Sequence, residues 1–182
     1  MLKEKSKRIV VDTSVACTSS DTTECPDPQQ CREILATILE VCHHVVMTPE
    51  IWDEWKKHLS KYSKKWYRSM IAKKKRYEPE MEKNSGIQTK IDSISNQPDR
   101  EIMLKDLRLI EAALAADHIV ISLDKEARKA FIKHAVKISE FKNIIWVNPS
   151  IPDERVVEWL QQGAESEKKR MLGYLITSSK KA

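Results

Sequence analysis

Asp12, Glu50, Asp106 and Asp124 are the residues of this chain whose type and placement could do chemistry. Asp12 closes the apolar run Ile9-Val10-Val11, Glu50 stands just past the run from His44 to Met47, and Asp124 follows Ile119-Val120-Ile121. Carboxylates gathered at one place repel one another unless cations neutralise them or some keep protons at a raised pKa. A ligand set made only of oxygen suits Mg²⁺ or Mn²⁺. Such ions hydrolyse phosphodiesters by activating water, neutralising developing charge and clamping the attacking and leaving oxygens. Ser14 and Ser122 each lie two residues from one of these acids, where a hydroxyl can orient a ligand or a water. With Thr13, they also read as ordinary turn formers.

For the acids to meet, the elements between them must bring the chain back to one edge. Short apolar runs at Ile9–Val11, His44–Met47, Ile119–Ile121 and Ile144–Val147 read as buried strands. Helical spacing of apolar residues separates them, as in Ile34, Leu35, Ile38 and Leu39, and again in Leu104, Leu107, Ile110, Ala113 and Leu114. Pro49 suits the first turn of a helix. The repeat of Ile51, Trp52, Trp55, Leu59, Tyr62, Trp66 and Met70 predicts one long helix from there. Asp153–Gln162 reads as a last helix after Pro152. Alternating strands and helices predict a three-layer α/β/α fold around a central parallel sheet of about four to five strands.

In such a sheet every strand points its carboxyl end to the same edge, where ligands bind. A helix from Asp106 to Ala116 travels about 16 Å at 1.5 Å per residue. A strand from Ile119 to Leu123 returns a similar distance at about 3.3 Å per residue. Asp106 and Asp124 are therefore expected on one rim with Asp12 and Glu50. Glu126 is a candidate to supplement the site from just beyond Asp124, and Glu54 and Glu111 are alternatives to their neighbours, all three ranking below the quartet.

Val10-Val11-Asp12-Thr13-Ser14, Thr48-Pro49-Glu50, and the stretch from Asp106 through Ala113 to Ser122-Leu123-Asp124 resemble the acidic motifs of PIN domains, including toxins of the VapC type. The resemblance covers roughly residues 8 to 148, interrupted between about Trp55 and Asp99. It implies a PIN fold and cleavage of RNA with one or two Mg²⁺ or Mn²⁺ ions, Asp12, Glu50, Asp106 and Asp124 being both the catalytic residues and the metal ligands. It implies RNA as partner, an antitoxin protein in the toxin branch, and room for a homo-oligomer. Compact PIN toxins are shorter, and a long basic insertion is not part of their common pattern.

The chain has 182 residues, the size of one ordinary domain. We read residues 1–165 as that domain, with the basic helix and an insertion at about 55–98, and 166–182 as a charged tail fraying from a helix. A loop is expected from Ser19 to Pro28. The formal charge is +5, mild in sum but uneven. Between Lys56 and Arg76 there are ten cations and no acid. Lys64, Lys65, Arg68, Lys73, Lys74, Lys75 and Arg76 are candidates to hold RNA phosphates, with Trp66, Tyr67 and Tyr77 interleaved for stacking on bases. The plainer account is a solvated face above a core stripe, and for Trp52, Trp55 and Trp66 that account is preferred.

Cys17, Cys25, Cys31 and Cys42 form no C-x-x-C pair, and the five histidines show no ligand spacing. Neither a signal peptide nor an apolar run of about 18 residues is present, so a reducing cytoplasm is the expected compartment. A haloacid dehalogenase site would need a second Asp two places after Asp12, where Ser14 stands. The glycines, Gly86, Gly163 and Gly173, form no phosphate-cradling loop. The alternative from another class is a PIN scaffold that binds RNA or protein without cleaving.

Overall fold

Isoleucine and valine make up most of four short strands, because β-branched side chains fit a pleated surface covered on both faces. They are β1 (Arg8–Val11), β2 (His44–Val46), β4 (Ile119–Ile121) and β5 (Ile145–Val147). A two-residue strand, β3 (Arg76–Tyr77), completes a five-stranded sheet in the order β3-β2-β1-β4-β5. Every pairing is parallel, with Ile9 opposite both Val45 and Ile119. The computed structural model describes residues 6–19, 28–81 and 85–179. The loop expected after Ser19 falls almost wholly outside them.

The helices α1 (Thr13–Thr18) and α2 (Pro28–Glu40) join β1 to β2, and α3 (Pro49–His58) and α4 (Lys61–Ala72) join β2 to β3. The chain then crosses back through α5 (Ser85–Asp92) and α6 (Gln97–Leu114) to β4, and through α7 (Lys125–His134) to β5. Right-handed crossovers that run first one way and then the other put the two groups of helices on opposite faces. The packing agrees: α2 meets α4 and α8 (Val156–Gln161), while α6 meets α5 and α7, and α7 meets α9 (Leu172–Ser179). This is a three-layer α/β/α arrangement. No helix among the described residues is long and apolar enough to cross a membrane.

Four departures from the sequence reading have local causes. The long helix from Pro49 is broken after His58, because Ser60 takes an extended conformation and its hydroxyl accepts from the Ser63 amide at 3.0 Å, capping a new helix. Ser19 holds that hydroxyl from the α1 side at 2.9 Å. The insertion at 78–98 contains α5, whose Ile87 and Ile91 are buried in the core. Asn96 caps α6 through the Asp99 amide, so α6 begins well before Asp106. The expected helix from Asp153 starts as a 3-10 turn, Pro152–Glu154, and Arg155 in left-handed geometry (φ 43°) separates it from α8.

The segment expected to fray after Gly163 returns to the sheet. Met171 forms an antiparallel bridge to Ile145, and the Leu172 and Gly173 amides donate to the Ile144 and Lys142 carbonyls at 2.9 and 3.0 Å. This covers the outer edge of β5. A Cβ on Gly173 would press on the Lys142 side chain and come within 2.9 Å of its carbonyl oxygen and 3.0 Å of its Cα. In a frayed helix Gly→Ala stabilises by up to about 1 kcal/mol. Here crowding against backbone wins, and Gly173→Ala is expected to lower stability by about 1–3 kcal/mol in urea unfolding. A gain in stability would show that α9 is not docked.

Candidate metal centre at the carboxyl edge of the sheet

The strand order reverses direction at β1, which has β2 on one side and β4 on the other. Connections leave the carboxyl ends of β1 and β4 toward opposite faces, and this opens a crevice where open α/β sheets bind ligands. Asp12 is the first residue past β1, and Ser122 and Asp124 follow β4.

Asp12 occupies the N-cap position of α1 but makes no side-chain cap. Its Oδ2 accepts instead from Ser14 Oγ at 2.7 Å and Ser122 Oγ at 2.8 Å. Each hydroxyl also accepts a backbone N–H from the β4 exit, Leu123 to Ser14 and Asp124 to Ser122, both at 3.1 Å. The two serines therefore fix one carboxylate and the neighbouring loop together. Asp12 Oδ1 has no donor among the described residues.

Asp124 caps α7, its Oδ1 accepting from the Ala127 amide at 2.8 Å. That is the ordinary helix-start role, and it engages one oxygen only. Asp106 has no such role. It lies in the middle of α6, 6 % exposed, with the Arg108 guanidinium 3.9 Å from Oδ1 as its near cation. At the start of the same helix, Asp99 accepts from Lys133 at 2.6 Å and bonds His134 at 3.0 Å, tying α6 to α7. Burial, and then the negative charge of Asp12, push the Asp106 pKa up to about 6; Arg108 opposes this and Asp124 adds to it.

The expected quartet thus divides. Asp12 and Asp124 both act electrostatically on Asp106. Glu50 is exposed in the first turn of α3, and its charge bears on Glu111, whose pKa is raised by burial first and by Glu50 second. Glu111 is therefore the alternative acid that the structure brings toward the rim. Glu54 is engaged by Lys57 at 3.3 Å, and Glu126 by Lys129 at 2.8 Å.

Asn148, absent from the sequence reading, stands in the corresponding place after β5. Buried, it donates from Nδ2 to the Leu123 carbonyl at 3.1 Å and steadies the loop that carries Asp124. A polar residue at the end of an apolar strand was the available signal.

The basic candidates separate by place. Lys64, Lys65 and Arg68 are exposed on α4. Lys73, Lys74 and Lys75 precede β3 at the amino edge, opposite the acids, with Lys75 Nζ donating to the Cys42 carbonyl at 3.1 Å. Arg76 pairs with Glu78. Of the proposed stacking rings, Trp66 is buried with its indole N–H on the Leu35 carbonyl, and Tyr77 is covered by the Arg8 guanidinium at 4.3 Å.

The donor set fits a hard divalent cation. The oxygens left open are all carboxylate, and the pKa of Asp106 is raised first by its burial and then by Asp12, against the opposing charges of Arg108 and Lys105. Among the described residues, no three Asp, Glu, His or Cys side chains already stand at enclosing distance. An Mg²⁺ ion typically keeps several waters and uses one or two carboxylates.

The Asp106 shift has a sign that can be tested. Its folded pKa lies above the unfolded value, so the folded state holds the proton more tightly. The resulting stabilisation is present below about pH 4, fades as pH rises toward 6, and leaves a penalty on the order of 2–3 kcal/mol at pH 7.5. Asp106→Asn is expected to be more stable than wild type at pH 7.5 without divalent ions, and to lose this advantage by pH 4. Parallel stability curves for the two proteins across that range would contradict the crowding of charge at Asp106.

No family model, curated protein or solved structure matches this chain.

Proposed function

We propose that the chain is a metal-dependent endoribonuclease of the PIN type, acting at the crevice between β1 and β4. The observation that supports this best is the gathering of Asp12, Asp106 and Asp124 where the strand order reverses, near enough that Asp12 and Asp124 both add to the raised pKa of buried Asp106. A bound Mg²⁺ or Mn²⁺ would supply charge neutralisation and activation of water. Asp12, Asp106 and Asp124 would hold it, with Glu50, at the head of α3, and Glu111, on α6, a second pair of interacting acids.

The serines supply orientation. With both hydroxyl hydrogens directed at Asp12 Oδ2, Oδ1 is the atom left to face a cation. Fixing it before the ligand arrives saves the entropy of ordering that side chain on binding. Arg108 offers positive charge beside Asp106 where a substrate phosphate would approach. On this reading the partner is RNA in the cytoplasm, and the protein serves either as an RNA-processing nuclease or as a toxin held by an antitoxin protein.

The chemical step is tested at Asp124, where Asn keeps the helix cap while removing the charge, because Asn caps as well as Asp. Purified wild type is expected to cleave single-stranded RNA with Mg²⁺ or Mn²⁺ and to stop in EDTA. Asp124→Asn is expected to lose at least about 100-fold in rate, roughly 3 kcal/mol of transition-state stabilisation, while melting within a few degrees of wild type. Equal cleavage by the variant, or cleavage in EDTA, would place the activity elsewhere. A folded wild type that leaves single-stranded, tRNA and rRNA substrates intact would favour a binding module on the same scaffold.

A further inference from the structure

We propose that the cavity between α3 and α4 is a subsite for one unpaired nucleotide of single-stranded RNA, so that the protein selects single strands over duplexes; this rests on the ribonuclease reading above. The cavity holds about 250 Å³ and is lined by Trp52, Lys56, Leu59, Lys64, Tyr67 and Arg68. That is just below the range of ordinary small-molecule pockets, a size suited to one planar group with its phosphate.

Trp52 supplies the plane. Unlike Trp55 and Trp66, which are sealed in the core, it is only half-buried. Tyr67 stacks behind it with ring centroids 4.9 Å apart and planes at 26°. The ring is thus rigid before a base arrives, and stacking on a fixed aromatic is worth about 1–3 kcal/mol per base. A duplex cannot use such a surface, since its bases are already stacked on each other.

Three cations stand around that ring and no acid lines the cavity. Lys64 and Arg68 are four residues apart on α4, so they share one helix face, and no carboxylate of the described residues is within ion-pair distance of either. Lys56 pairs with Asp53 at 2.7 Å, but both side chains are more than half exposed, and exposed pairs of this kind bind weakly enough to exchange for a phosphate.

The same aromatic group leads to the acids. Tyr67 also touches Trp55, centroids 5.9 Å apart, and the Trp55 indole N–H donates to the Val11 carbonyl at 3.1 Å, one residue before Asp12. Trp52 is therefore joined to the β1 exit through the core by two ring contacts and one hydrogen bond. Lys73, Lys74 and Lys75, on the opposite edge, have no such connection.

The test measures affinity in EDTA, so that binding is read apart from cleavage. The probes are a labelled single-stranded RNA 12-mer, the same sequence as a duplex, and an abasic 12-mer. Wild type is expected to prefer the single strand over both others. Trp52→Leu should weaken single-strand binding by about 10-fold without affecting the abasic probe, and Trp52→Phe, which keeps an aromatic plane, should recover most of the loss. Lys64→Gln with Arg68→Gln should reduce the slope of log affinity against log salt by about 1.4, whereas Lys137→Gln with Lys169→Gln should not.

Unchanged single-strand affinity in Trp52→Leu would overturn the subsite, while the ribonuclease reading would stand if wild type still cleaved. Equal affinity for all three probes, or equal displacement by a Glu-rich peptide of matching charge, would assign the surface to charge alone or to a protein partner. Absence of any RNA binding in EDTA would overturn the subsite, and the ribonuclease reading would fall with it only if wild type also failed to cleave with Mg²⁺ or Mn²⁺. Trp52-dependent binding in a protein that never cleaves would keep the subsite and remove the nuclease.

Discussion

Asp12 Oδ2 accepts two hydroxyl hydrogens, at 2.7 and 2.8 Å, and the geometry of the carboxyl edge depends on this arrangement. The donors come from separate elements, Ser14 from the first turn of α1 and Ser122 from the end of β4, and each is held in turn by a backbone amide of the β4 exit. The Asp12 amide closes the loop by donating to the Ile121 carbonyl at 2.9 Å. A side chain with 8 % exposure would be costly as a free carboxylate; two charge-assisted hydrogen bonds offset that cost. They also fix the spacing between the β1 and β4 exits, on which any ligand bound between them depends.

Against that ordered carboxylate, Asp106 is the unrelieved one. It sits where a helix interior would favour an apolar residue, between Leu107 and Met103 of the core, and it feels Asp12 and Asp124 with Arg108 and Lys105 in opposition. Strain of this kind at one position in an otherwise consistent core is the pattern expected of a functional site. Asp99 of the same helix bonds Lys133 and His134 of α7, so a long helix with a disfavoured acid in its middle is tied at its start to the neighbour it packs against.

Much of this was legible because it follows from strand ends. Ile9–Val11 and Ile119–Ile121 are apolar runs too short to be helices, and the first polar residues after them, Asp12, Ser122 and Asp124, had to gather at one edge once the sheet was parallel. Ser14 and Ser122 are legible as hydroxyls next to acids, although only the fold brings both to the same oxygen. The break at Ser60 was hidden because the apolar repeat continues across it, and a serine inside a helical pattern signals a cap only when its partners are known. Two-residue β3 is below the length at which alternation can be read. The place of Glu50 after β2 groups it with the other acids, but the acid on which its charge bears, Glu111, comes from a different helix.

That same break at Ser60 shapes the surface beside the acids. A continuous helix from Pro49 would carry Trp52 and Tyr67 about 22 Å apart along its axis, at 1.5 Å per residue. Turning the chain at Leu59 and Ser60 folds α4 back so that Tyr67 lies under Trp52 at 4.9 Å and Lys64 and Arg68 face the same hollow. The turn is held from the other side by Ser19, at the end of the helix that Asp12 begins. One chain of short-range contacts therefore joins the carboxylate edge, the helix break and the aromatic hollow. A change in any of the three must be accommodated by the other two, because the elements between them are α1, six residues long, and a buried Trp55 with its indole N–H already engaged.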